Sequence, residues 1–149
     1  MIKKLKNNQV QIVINYKNIY LCDALYCKDI ANDFIDAFLE YFNTGKFHIE
    51  FECETYQSAL VFFNNNLYFI SNEGLRGGLA GAVEITNELC GLPDDTPLDE
   101  KMCFLAKELI NDIRNTFMDW VWWNAITVTD AVENEHRLED KLAELYIYT

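Results

Sequence analysis

The chain has little of what punctuates or staples a small fold. Its 149 residues include only two prolines and six glycines, and no linker, internal repeat or low-complexity stretch divides it. Serine occurs twice, as Ser58 and Ser71, neither in a Gly-x-Ser-x-Gly elbow, and the two histidines, His48 and His136, have no sequence neighbour that marks a nucleophile or a metal pair. Hydrolase and metalloenzyme chemistry therefore have no motif to rest on, although carboxylates that meet only in space leave no mark on a sequence. No stretch approaches the ~18 apolar residues of a membrane helix. Asn7, Asn8 and Gln9 follow the basic opening Met1 to Lys6, where a secretory leader would carry its apolar core. Neither membrane association nor export by that route is expected.

Cysteine is present but in an odd set: Cys22, Cys27, Cys53, Cys90 and Cys103. Cys22 and Cys27 are too far apart for the redox or zinc pair, which separates its cysteines by two residues. Four of the five fall in apolar patterns, where a thiol behaves as a small hydrophobe. Free thiols in a reducing, cytoplasmic compartment follow, with no metal and no cofactor expected.

Positive charge is outnumbered two to one. Twelve Lys and Arg face twenty-four Asp and Glu, for a net charge of −12. The imbalance is uneven: residues 1–46 hold six basic and five acidic side chains, whereas residues 47–149 hold six basic and nineteen acidic ones. Such a field repels nucleic acid and anionic membranes and attracts basic protein surfaces. Solubility is the plainer use of the same charge.

What is present argues for a folded core. Half the residues are hydrophobic and 14% aromatic, which excludes a disordered acidic chain, and at this length roughly 70% of the unfolded surface can be buried. One acidic α+β domain spanning residues 1–149 is expected. Its N-terminal half should hold an antiparallel sheet of about four to five strands, packed against three to four helices.

The alternation of Val10, Ile12 and Ile14 predicts a strand, with Ile19 to Leu25 as its hairpin partner after a turn at Lys17-Asn18. Ile30, Phe34, Ala37, Phe38 and Tyr41 recur at helical spacing, with Asp29 as cap and Gly45 just past the end near Phe42. From Lys46 the period becomes two: Phe47, Ile49, Phe51 and Cys53 point one way, His48, Glu50, Glu52 and Glu54 the other. Gln57 to Phe63 and Leu67 to Ser71 form a hairpin around the asparagines at 64–66. A glycine-rich stretch from Gly74 to Gly81 should lead into a helix that ends near Gly91. Thr96, Pro97 and Asp99 open a long helix near 97–125, whose Leu105, Leu109, Ile113 and Phe117 lie on one buried face. Ile126 to Thr129 should interrupt it, and Thr129 or Asp130 should cap a last helix.

Three constellations carry functional readings. Gly74 to Gly81, set between a strand and a helix, is the context in which backbone amides bind phosphate. It lacks the Lys-Ser/Thr of a P-loop and the dinucleotide spacing. Its Arg76-Gly77-Gly78-Leu79-Ala80-Gly81 resembles the pyrophosphate loop of an acetyltransferase family, Arg-Gly-x-Gly-x-Gly, but is one residue short. The resemblance covers about eight residues and would imply a small transferase or ligand-binding domain. A structural turn without bound nucleotide or acyl-CoA is the preferred reading.

The second constellation is the row Glu50, Glu52 and Glu54, continued by His48, with side chains about 6.6 to 6.8 Å apart on a regular strand. Aligned carboxylates repel one another, pair with Lys or Arg of a partner, and broadly imitate the spacing of phosphates. An ordinary solvated strand face is the alternative. Third, Trp120, Trp122 and Trp123 cannot all enter one core. Trp122 falls to the side of Asn111, Asn115 and Met118 and is either an interface anchor or covered by the C-terminal helix, whose tail Tyr146-Ile147-Tyr148 would join that packing.

The functional expectation is a non-catalytic, acidic binding protein of the inhibitor or immunity type, including nucleic-acid mimicry, that neutralises a basic protein such as a nuclease. Its candidate partner-binding residues are Glu50, Glu52, Glu54 and Trp122. A transferase using loop 74–81, and a homo-oligomer joined through the tryptophans, are the alternatives from other classes.

Overall fold

The computed structural model describes residues 2–4, 9–14, 17–23, 30–53, 56–63, 66–71, 76–117 and 126–149. Seven strands fall in two antiparallel sheets among these residues. The first is β1 (Ile2–Lys4), β2 (Gln9–Ile14) and β3 (Lys17–Asp23), in that order. The second is β4 (His48–Cys53), β5 (Tyr56–Phe63), β6 (Asn66–Ser71) and β7 (Val83–Ile85), also in order. Four α-helices accompany them: α1 (Ile30–Thr44), the single turn α2 (Asn87–Cys90), α3 (Leu98–Asp112) and α4 (Val128–Tyr146). The class is α+β, as the alternation of periods predicts.

Several boundaries differ from the expectation. The first hairpin does not turn at Lys17-Asn18: both residues lie in β3, opposite Ile14 and Val13. A short strand, β1, precedes it, its Lys3 facing Gln11. The α1 cap expected at Asp29 lies outside the described residues. At its other end α1 runs to Thr44, and Gly45 adopts φ 76° while its N–H bonds to the Tyr41 carbonyl at 2.7 Å. That left-handed closure is what glycine supplies without strain.

The helices α1, α3 and α4 lie on the inner face of the second sheet. Phe34, Ile35 and Phe38 of α1, Leu105 and Leu109 of α3, and Leu138, Leu142 and Leu145 of α4 form one buried cluster with Ile49, Leu60, Leu67, Phe69 and Ile85 of the strands. The Lys141 amine reaches both Asp36 oxygens at 2.9 and 3.1 Å, and Tyr148 stacks on Phe42. Both contacts advance in the same sense, so α1 and α4 run parallel. Arg114 beside Glu139 and Cys103 beside Tyr148 advance in opposite senses, so α3 runs antiparallel to α4.

The predicted long helix starts at Leu98, with Pro97 at the cap position and no side-chain bond there. Proline supplies a fixed φ but no acceptor, and Thr96 does not take the capping role. Leu105, Leu109 and Ile113 are fully buried, as their spacing requires. The backbone widens into a π-type turn at Ile113–Phe117; residues 118–125 lie outside the described set. The last helix begins earlier than expected. Thr127, not Thr129 or Asp130, is its cap, accepting from the Asp130 N–H at 3.1 Å, so Val128 and Thr129 are helical. A threonine followed three residues later by an acid is a cap pattern strong enough to override β-branching in the first turn.

Candidate functional site

Strand β4 is built from strict alternation. Phe47, just before it, and Ile49 are buried against α1, where Phe47 meets the ring of Phe38 edge-on at 5.0 Å. Because successive side chains point to opposite faces, this anchoring turns His48 and Glu50 outward. Their side chains are 59% and 73% exposed, and the His48 Nε2 lies 3.4 Å from Glu50 Oε1. Glu52 belongs to β4, opposite Gln57 of β5. Glu54 and Trp122 lie outside the described residues.

The same face changes character one strand inward. Glu50 stands opposite Ala59, which in turn faces Ile70 of β6, and both apolar residues are buried. His48 lines up with Val61 and Tyr68, both half-buried, and then with exposed Glu84 of β7. The acidic row therefore borders an apolar strip instead of belonging to a uniformly polar face. Sequence alone showed Gln57 to Phe63 as apolar on both faces, which is the local signal for that strip.

The glycine segment is arranged differently from the expectation. Gly78 has φ 68°, Gly78–Gly81 form a 3-10 turn, and the chain then enters strand β7 and not a helix. Val83 and Ile85 pair with Phe69 and Leu67, and their alternation is the feature that a glycine-centred reading overlooks. The next helix, α2, starts only after Thr86, whose hydroxyl accepts from the Leu89 N–H at 3.2 Å. Arg76 and Gly77 are helical, residues 72–75 lie outside the described set, and the N-terminus of α2 that follows is occupied by its own cap.

Two features escaped the sequence reading. Lys101 is 5% exposed, with its stem on the α3 face between Leu98 and Leu105, and burial pushes its amine below the ordinary lysine value while Cys90 and Glu84 partly offset this. Its place three residues after Leu98 was the available signal. The second is the junction of α1, α3 and the C-terminal tail. There the Tyr41 hydroxyl donates to Asp99 Oδ1 at 2.5 Å, the Cys103 thiol donates to the Tyr148 carbonyl at 3.3 Å, and the Tyr148 hydroxyl donates to Asn43 Oδ1 at 3.1 Å. Burial and the Asp99 carboxylate raise the Tyr41 phenol, and burial with Asp99 and Glu100 raises the Cys103 thiol. Neither group is an activated nucleophile. Cys90 and Cys103 are both unbridged, and no described helix is long and apolar enough to cross a membrane. Among the described residues no three His, Cys, Asp or Glu side chains are grouped to hold a metal ion.

No protein-family model, curated protein or solved structure matches this chain. The geometry is therefore the whole basis for a functional reading.

Proposed function

We propose that this chain is an acidic, non-catalytic binding protein of the inhibitor or immunity type, acting in a reducing cytoplasmic setting on a basic protein partner. The observation that carries the reading is the outward set of His48 and Glu50 on β4, held in register by buried Phe47 and Ile49. A slip of one residue would bury the charges and expose the aromatic and aliphatic groups, so the core itself maintains the charged display. Half-buried Val61 and Tyr68, in line with His48, add apolar area beside charge, the mixture that binding patches use.

Replacing Glu50, Glu52 and Glu54 together by glutamine tests the proposal. Capture of partners from the native host by wild type and variant, at low and high salt, should show slower association and a flatter salt dependence for the variant. A partner whose affinity and salt response are the same for both proteins would remove β4 from the binding surface.

A further inference from the structure

The end of the helix layer where α1 and α4 finish and α3 begins gathers acidic side chains, two of which, Asp99 and Glu100, offset the positive N-terminus of α3. Helix C-termini carry partial negative charge and favour cations, yet neither α1 nor α4 has a basic residue in its last turn. Glu40 and Glu144 lie in or next to those turns instead, both exposed. Asp99 and Glu100 occupy the first turn of α3 and sit close enough to raise the Cys103 thiol, which itself touches the Tyr148 carbonyl. Of the cations near these acids along the chain, Lys101 is buried and Lys141 is held by Asp36, while Lys46 lies two residues past α1 and Lys107 one turn beyond Cys103.

Beside Cys103, one turn on from Asp99 and Glu100, the tail is pinned and yet leaves apolar groups in water. Tyr148 is held by its ring on Phe42, with planes 3° apart at 5.0 Å, and by two hydrogen bonds. The two residues before it, Tyr146 and Ile147, remain 61% and 80% exposed. A fixed backbone presenting an exposed tyrosine and isoleucine among carboxylates has the composition of an interface anchor, since an aromatic body loses little rotamer freedom on binding.

We infer that this end is a docking surface for a basic segment of a protein partner, with an arginine or lysine seated against Tyr146 and Ile147 and its charge toward Asp99, Glu100 and Glu144. Charge complementarity selects that occupant: a cation over a tyrosine face gains from the ring, and the carboxylates and two helix ends add attraction of the same sign. The inference rests on the proposed binding of a basic partner but places the anchor away from β4.

The full chain, labelled for NMR, would be titrated with an alternating arginine–glycine octapeptide and with a glutamate–glycine control. Amide shifts should concentrate at residues 99–103 and 144–149, with the arginine peptide alone. Tyr146→Ala should weaken binding about two- to fivefold, and Glu100→Gln with Glu144→Gln should flatten its salt dependence, both variants keeping the wild-type circular dichroism. Shifts confined to residues 48–53, abolished by the triple glutamine change in β4, would overturn this surface and leave the proposed function standing. Absence of binding anywhere would overturn both. A concentration-dependent dimer in sedimentation that Tyr146→Ala dissolves would assign the surface to a second copy and overturn the basic-partner inference.

Discussion

Helices α3 and α4 are similar in length and opposite in strategy. The fifteen residues of α3 bury Lys101, Met102, Leu105, Ala106, Leu109 and Ile110, whereas the nineteen of α4 bury only Ala131, Leu138, Leu142 and Leu145. The shorter helix lies deeper. It begins at Pro97 without a side-chain cap, while α4 begins with a Thr127 hydroxyl bonded to the Asp130 N–H. A helix that is surrounded draws its stability from burial and can do without local devices; one laid against the outside depends on them. The ion pairs that tie α4 to its neighbours, Lys141 with Asp36 and Arg114 with Glu139, are all partly exposed and contribute little.

This contrast can be broken most directly at Leu109. Its truncation to alanine should destabilise the protein by about 2 to 5 kcal/mol in urea unfolding, the range for a buried leucine. A loss below ~0.5 kcal/mol would mean that α3 is not the deep helix.

Lys101 sharpens the same point with the opposite sign. Lys101→Met keeps the stem, removes the desolvated amine and should stabilise by on the order of 1 kcal/mol. Burial holds the folded-state pKa below the ordinary 10.5, so the unfolded chain binds the proton more tightly. Stability from this group therefore rises as pH climbs from the lowered folded value toward the unfolded one. The advantage of the methionine variant should be largest at neutral pH and shrink toward pH 10.5. An advantage that grows with pH would contradict the burial of the charge.

On α4 the local device carries the test. Thr127→Ala should cost about 1 kcal/mol, within the ~0.5 to 2 kcal/mol known for such caps. A cost equal to that of Leu109→Ala would erase the distinction between the helices. The smallest folding effect belongs to β4, where the triple glutamine variant should unfold within ~0.5 kcal/mol of wild type, since exposed charges add little and their mutual repulsion is relieved. Its loss should appear in association rate instead.

Much of this architecture was legible beforehand wherever one period ran uninterrupted. The stripe of Phe34, Phe38 and Tyr41, the alternation that opens with Phe47 and Ile49 and the stripe of Leu105, Leu109 and Ile113 each demand one buried face, and these residues all lie inward. The errors fall where signals are short or compete. Three-residue strands such as β1 and β7 carry too few alternations to stand out, and β7 was hidden behind the glycines that precede it. The start of α4 was misplaced because β-branched residues weigh against a helix in any local reading, while the cap that outweighs them is a single hydrogen bond.

The candidate surfaces divide in the same way. Outward placement of His48 and Glu50 follows from alternation alone, because the pleat of a strand leaves them no other side once Phe47 and Ile49 are buried. Sequence by itself also determined the class of the fold, the acidity of the second two-thirds and the buried faces of α1 and α3. Tertiary structure decided the rest. It set Ala59 and Ile70 as an apolar border to the acidic row, buried Lys101, and brought Asp99, Cys103, Phe42 and Tyr148 to one end of the helix layer. Those contacts join residues tens of positions apart, and no local period encodes a meeting that depends on how parallel α1 and α4 and antiparallel α3 pack on one sheet.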